Sequence, residues 1–441
     1  MRALAGLALV LASCGSPRSF TALDLPPLAA GALPAAPAAE PDRLTLSRCI
    51  GLAVARSDRA RGYAEDTVQE SERRGLASAA RWPELAAAGT YFIQQTTGSS
   101  VNSFGQSLND DRSEARALMR WDPTELLRRG PEMRRFEKLR DSWEQMRRDA
   151  EGSAALDAAA AFYAVSVAQR RLESARARAG RDEFALAEAE ARNRQEISAM
   201  SAVAERKLEA LRSRREIYAA ELDLDRAWTE LRSLTRLSGS PELVDDLDLA
   251  GADRPAAAWA EQAARSHPAL LAARSRRQAA EQELASAQLW WVPSLNLQVA
   301  QYLHREGFGS DSKWDASATL EFPLTGMIAA GHEIAIAESK IRQSDLEIER
   351  VSLDLAKRVE LALQDLKSAE RLMELVGETV SAAEVALEDS RERLRLGMAT
   401  RSLEVDAEAI LREARWEELA AQAIRRLSLL RLKVLAGAGL P

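Results

Sequence analysis

Two stretches of this chain contain no proline, Glu132–Ser240 and Leu324–Leu440. Proline inside a helix removes a backbone hydrogen bond and clashes with the preceding turn, so proline-free runs of about 110 residues are what very long helices require. Periodicity points the same way. Val359, Leu363, Leu366, Ala369, Met373, Val376, Val380, Ala383 and Leu387 recur every three or four residues, as do Ile217, Ala220, Leu224, Ala227, Leu231 and Leu234. That spacing makes a coiled-coil seam. A helix of about 60 residues would reach on the order of 90 Å at 1.5 Å per residue.

Short pieces of period two interrupt the helical runs. In Lys313–Phe322, Trp314, Ala316, Ala318, Leu320 and Phe322 share one face, and Lys313, Asp315, Ser317, Thr319 and Glu321 the other. Clean alternation over about ten residues suits a tilted transmembrane β-strand. Leu295, Leu297 and Val299 alternate with Asn296 and Gln298 across the loop Glu306–Ser312, which predicts a hairpin over about 294–322. The first half repeats this more faintly, over about 86–122. Ala115, Ala117, Met119 and Trp121 alternate with Glu114, Arg116 and Arg120, and Thr90–Thr97 is the expected partner strand. Each hairpin is preceded by an aromatic–proline corner (Trp82-Pro83; Trp290-Trp291-Val292-Pro293) and followed by Pro123 or Pro323. Helix, hairpin and long helices recur, so the chain is predicted to be internally duplicated, with repeats at 43–240 and 255–437.

Four strands cannot close a barrel, since the smallest membrane barrels need about eight. An open sheet leaves unsatisfied edges that hydrocarbon does not tolerate. Hairpins in a membrane would therefore have to be pooled from several chains. Hairpins packed on a helical bundle are the soluble alternative, in which Trp290, Trp291 and Phe322 would be corner packing rather than an aromatic girdle.

The N-terminus reads as an address. Met1–Ser13 has a short apolar run, Ala3–Leu11, that cannot span a bilayer. Leu11-Ala12-Ser13-Cys14 resembles a bacterial lipobox, in which the cysteine becomes the acylated N-terminus. An ordinary signal peptide with an incidental cysteine is the alternative. Residues 14–42 hold six of the fifteen prolines and read as an extended tether. Cys49, in an apolar helical stretch, is expected to be a small core residue.

Several functional classes are excluded on composition and motif. Lys+Arg number 60 against Asp+Glu 67, for a net charge of −7, so the basic excess of a nucleic-acid binder is missing. The doublets Arg128-Arg129, Arg134-Arg135, Arg147-Arg148 and Arg214-Arg215 are interleaved with acids and read as intrahelical pairs. There is no GxSxG, Walker loop, GxGxxG, CxxC or HExxH, so neither an enzyme nor a cofactor or metal is expected. His267 reads as a helix-cap residue, and His304 and His332 as solvated.

Five segments together resemble the TolC-like outer-membrane efflux proteins, or outer-membrane factors. These are Leu44-Thr45-Leu46 with Ile50-Gly51-Leu52-Ala53; Ser266-His267-Pro268-Ala269-Leu270; Val292–Leu297; Leu320-Glu321-Phe322-Pro323-Leu324; and Leu396–Thr400 through Glu404-Val405-Asp406-Ala407. Their order and spacing, rather than any one of them, carry the resemblance. It implies a mostly α fold with β-hairpins, an internally duplicated α-helical coiled-coil tunnel, and four transmembrane β-strands per chain pooled into a trimeric barrel of twelve strands. It also implies a lipid-anchored subunit in the outer membrane of a Gram-negative cell, with a periplasmic helical extension. The subunit would be the passive exit duct of a tripartite efflux or type I secretion system, working with a periplasmic adaptor and an inner-membrane transporter. The adaptor would dock at the turns Gln195-Glu196-Ile197-Ser198 and Gly397-Met398-Ala399-Thr400. A periplasmic gate would use Asp406, Glu404 and Arg401, with Arg393 and Arg395 as further partners of the acids. In the first half the sequence departs from the pattern: Trp121-Asp122-Pro123 lacks the usual exit text, and Gln195 stands where the family prefers glycine. Two readings stay open here. Those charges are also what a solvated helix face would carry, and the whole chain is also consistent with a lipid-anchored periplasmic coiled-coil scaffold that conducts nothing.

Overall fold

In the computed structural model the described residues are 43–92, 112–197, 199–247, 255–306, 312–324 and 326–437. The expected signal segment, Cys14, the tether, both hairpin tips and Ser198 lie outside them. The first half runs β1 (Arg43–Thr45), α1 (Leu46–Arg56), α2 (Asp58–Ala79), β2 (Glu84–Phe92), β3 (Arg112–Trp121), α3 (Glu125–Arg194) and α4 (Met200–Thr235). The second runs β4 (Glu242–Val244), α5 (Ala256–Ser266), α6 (Pro268–Ala287), β5 (Ser294–Glu306), β6 (Trp314–Glu321), α7 (Gly326–Arg395) and α8 (Arg401–Leu435). The two halves thus repeat the same order, offset by about 200 residues.

Helices α3 and α7 have 70 residues each, about 105 Å at 1.5 Å per residue. Pro131 lies in the second turn of α3, upstream of the proline-free run, where one lost backbone bond leaves most of the helix untouched. The expected seam on α7 is buried at Val359, Leu366, Ala369, Val376, Ala383 and Leu387. Near the tip it packs Ala383 and Leu387 against Ala407, Leu411 and Ala414 of α8. A wider core joins α1, α3, α4 and α8 through Leu46, Phe162, Trp228, Leu231 and Leu430. Cys49 belongs to it, and burial pushes its thiol pKa up to about 12, so it packs as a small apolar residue. Helix starts follow local chemistry: Thr45 and Ser57 accept from the backbone N–H groups of Arg48 and Ala60. His267 caps α6, its Nδ1 accepting from Ala269 N at 3.2 Å ahead of Pro268.

The end of α8 docks tightly against the α5–α6 joint. Gly437 has φ of +65°, and a Cβ there would fall 2.4 Å from the Ser266 carbonyl oxygen. Gly437→Ala is therefore expected to destabilise the protein by about 2–4 kcal/mol, from left-handed strain plus overpacking. Gly62→Ala is the control: its Cβ meets nothing within 4 Å, and it should be neutral or stabilising by up to ~1 kcal/mol. Thermal melts followed by helical circular dichroism check both, and equal melting temperatures for the two variants would contradict the packing described.

The two hairpins merge through β3 and β5 into one antiparallel sheet of order β2-β3-β5-β6. Strand β2 begins at Glu84, ahead of the expected Thr90, and includes Thr90–Phe92; the rest of the expected strand, 93–97, lies outside the described residues. In Leu85-Ala86-Ala87-Ala88-Gly89 small residues occupy both faces, so no alternation marks where the strand begins. A bulge at Ala115/Arg116 gives β5 one extra residue, Leu303. Sheet and helices meet at Asp122. Its Oδ1 accepts from Thr124 N at 2.8 Å and from Leu295 N at 3.3 Å, tying the exit of one hairpin to the start of the other. Trp121 Nε1 donates to the Arg81 carbonyl at 3.0 Å. A second, two-stranded parallel sheet pairs β1 with β4 near the core.

Candidate functional site

Register decides what the four-stranded sheet presents. Leu85, Met119, Val299 and Ala316 form one row across all four strands, followed by Ala87, Ala117, Gln301 and Trp314. Trp121, Leu297 and Ala318 continue the same face. The opposite face carries the row Glu84, Arg120, Gln298 and Ser317, then the row Ala86, Leu118, Ala300 and Asp315, in which Leu118 and Ala300 are buried, and then Arg116 and Tyr302. Side chains alternate along a strand, so this pairing gives one largely apolar face and one on which the charged and polar side chains gather around Leu118 and Ala300. The apolar face is uncovered: Leu85 is 78% exposed, Trp314 63% and Leu320 53%. Every residue of β6 is exposed. On the polar face Tyr302 Oη donates to Asp315 at 2.5 Å, and Arg116 lies 3.6 Å from Glu114.

Aromatic side chains bracket the apolar face. Trp82, Trp291 and Phe322 are exposed where sheet meets helices, and Tyr91 and Trp314 at the far end. From Trp314 to Phe322 an untilted strand covers about 27 Å at ~3.4 Å per residue, close to the apolar band of about 25 Å in membrane barrels.

The two edges, β2 and β6, have no neighbour among the described residues. Tyr302 N donates to the Lys313 carbonyl at 2.9 Å. Hydrogen-bonded pairs alternate in an antiparallel ladder. With the register of β5 and β6, the backbone groups of Asp315, Ser317 and Thr319 then turn toward β5. Those of Trp314, Ala316, Ala318 and Leu320 turn outward, to the open edge.

At the opposite end of the molecule lie two helix–turn–helix tips. Ile197 N bonds the Arg192 carbonyl at 3.0 Å and Met398 N that of Arg393 at 2.8 Å. The left-handed residue inside each turn is Glu196 (φ +59°) or Gly397 (φ +74°). Glu196, not Gln195, is thus the counterpart of the glycine, and it bears the left-handed strain that Gly397 avoids. Ile197 and Met200 on one tip, and Leu396 and Met398 on the other, are exposed. Ala399 and Thr400 complete the second turn ahead of α8.

The three gate candidates sit just behind the second tip. Asp406 lies 3.9 Å from Arg181 of α3 and Glu404 3.4 Å from Arg391 of α7, while Arg401 is exposed as the first residue of α8. Arg393 and Arg395 do not pair with these acids but with Asp389 and Glu392 of their own helix, at 2.9 and 3.0 Å. Arg181 also bonds Asp182 at 2.8 Å, and Ser213 of α4 donates to the buried Asp182. Arg178 bridges Glu216 of α4 and Glu413 of α8. Helix α3 therefore holds α4 and α8 with one short row of arginines. Nothing in the sequence distinguishes this row from ordinary surface pairs.

The arginine doublets divide. Arg129, Arg147 and Arg148 pair within α3. Arg128, Arg134, Arg135 and Arg214 instead reach Val292, Gln282, Glu283 and Glu183 on other elements. Among the described residues no group of three His, Cys, Asp or Glu is placed to hold a metal. No described helix is long and apolar enough to cross a membrane.

No curated protein matches the sequence. The outer membrane efflux protein family matches residues 259–438. Among similar solved structures are CusC, described with transmembrane channel formation (TM-score 0.74, 17% identity, 89% of this chain and 92% of that one); the outer membrane protein VceC of Vibrio cholerae (0.71, 15%, 89% and 96%); and the outer membrane channel CmeC of Campylobacter jejuni (0.74, 12%, 89% and 86%). Residues 259–438 thus match the outer membrane efflux protein family in sequence, and over the described length the chain shares the fold of these solved outer-membrane proteins.

Proposed function

We propose that the chain is one subunit of an outer-membrane channel, in which three copies pool twelve strands into a single barrel. The observation that carries this is the open sheet. It exposes an apolar face and, among the described residues, two unpaired edges, an arrangement that lipid tolerates only in a closed cylinder. Exposed apolar stripes at Leu208, Leu211, Tyr218 and Leu222 of α4, and at Leu346, Leu353, Leu361 and Leu375 of α7, give further copies something to pack on. The helices extend about 105 Å from the sheet's side of the molecule, the reach of a periplasmic duct. In planar bilayers the purified protein should give discrete conductance steps; silence there would favour the non-conducting scaffold.

The duct is read as passive, serving a tripartite efflux or type I secretion system driven by an inner-membrane transporter. The adaptor would dock on the exposed apolar tips, at Gln195, Glu196, Ile197 and Ser198 and at Gly397, Met398, Ala399 and Thr400. Asp406, Glu404 and Arg401, repeated by symmetry, would line the periplasmic constriction, where rings of carboxylates favour cations. Asp406→Ala should lower the potassium-over-chloride permeability ratio several-fold, read from reversal potentials; an unchanged ratio would take Asp406 out of the gate. Cys14 is read as the lipid anchor. Cys14→Ala should lose radiolabelled palmitate, and labelling that persists in the variant would reject acylation at Cys14.

A further inference from the structure

A cavity of about 620 Å³ opens where α1, α3, α5, α6 and the end of α8 converge, remote from sheet and tips. Ile50, Val54, Leu271 and Val434 supply its apolar wall, and its polar lining is Gln145, Asp149 and Ser266 with the charged Arg148 and Glu151. Its size and mixture of surfaces are those of a small-molecule site.

The charges around it are unevenly satisfied. Arg148 lies 3.6 Å from Glu144, and Glu151 bonds Arg147. Arg59 acts on Asp149 only through space, its guanidinium sitting over the Tyr63 ring. Among the described residues, the one contact of ion-pair range that Asp149 makes is with His267 Nε2, 3.8 Å away. Burial lowers the His267 pKa below its usual value, against the pull of Asp149 itself, which disfavours the charged imidazole that would offset the acid. An acid next to apolar wall and without a charged cation in direct contact is the complement of an amphipathic cation.

We propose that this cavity binds small amphipathic cations, the apolar body lying against Ile50, Val54, Leu271 and Val434 and the ammonium group bonding Asp149. The site is independent of the channel reading and would stand if that reading failed. Gly51 provides a way to close it. It lies on the cavity wall, and a Cβ there meets no atom within 4 Å, so Gly51→Leu should fold and fill the space.

The test is a ligand-observed NMR titration of the full chain in detergent with 2-phenylethylammonium, the neutral isostere 2-phenylethanol and the anion 3-phenylpropanoate. The cation should bind about tenfold more tightly than the alcohol, and the anion more weakly than either. Asp149→Asn should bring cation and alcohol within about twofold of each other, and Gly51→Leu should abolish both. Circular dichroism checks that each variant is folded. The absence of saturable binding, an anion bound as tightly as the cation, a cation preference that survives Asp149→Asn, or binding that survives Gly51→Leu would each overturn the proposal.

Discussion

Replacing Ala316 by proline is expected to leave a folded subunit that no longer assembles or conducts. Ala316 lies on β6, and its backbone N–H turns to the open edge rather than to β5. Proline is tolerated on an edge strand where the missing N–H faces outward, so the isolated sheet loses nothing. A sheet closed through that edge loses a donor and strands a carbonyl of the neighbouring copy. In hydrocarbon each such group costs several kcal/mol, and symmetry repeats the loss at every seam. Ala316→Val keeps the N–H and the apolar side chain and should assemble normally. Trimer content after detergent extraction, measured by native gel, separates the outcomes. Normal assembly of the proline variant would mean that β6 is not a seam.

The second large effect follows from the sheet's two faces. Ala318 lies midway between Trp314 and Phe322 on the apolar face, and Ser317 beside it on the polar face. Arginine at a lipid-facing midplane position costs about 2–4 kcal/mol per chain, whereas lumen positions accept charge. Ala318→Arg should therefore sharply reduce assembled protein in the outer membrane. Ser317→Arg should assemble and shift ion selectivity toward anions. Fractionation and reversal potentials read the pair. If the two variants were equally tolerated, the sheet would not have one face in lipid.

How much of this was visible beforehand depended on the length of each signal. The long helices were legible because one missing residue type and one period persist over the proline-free runs. The second hairpin was legible because β6 alternates without exception. The start of strand β2 at Glu84 is not legible because alanine is indifferent to which face it occupies. The pairing of β1 with β4 involves 3 residues on each side, too few for any period. At the tips the motif suggested the turn, but only the backbone identifies Glu196 as the left-handed residue. The candidate gate acids were nameable from the motif, whereas their partners were not. Arg181 approaches Asp406 only because α3 and α8 pack side by side, a tertiary fact with no local trace. The same holds for the cavity at Asp149, whose walls come from five helices spread along the chain.

The claim beneath all of this is that one chain cannot satisfy its own sheet in a bilayer and that sister copies complete it. Native mass spectrometry of the full-length protein released from detergent micelles tests it most directly. Expected is a complex of three chains that survives until the detergent is stripped under activation. A single chain, with the apolar sheet face held in detergent and no higher species at any concentration, would contradict it.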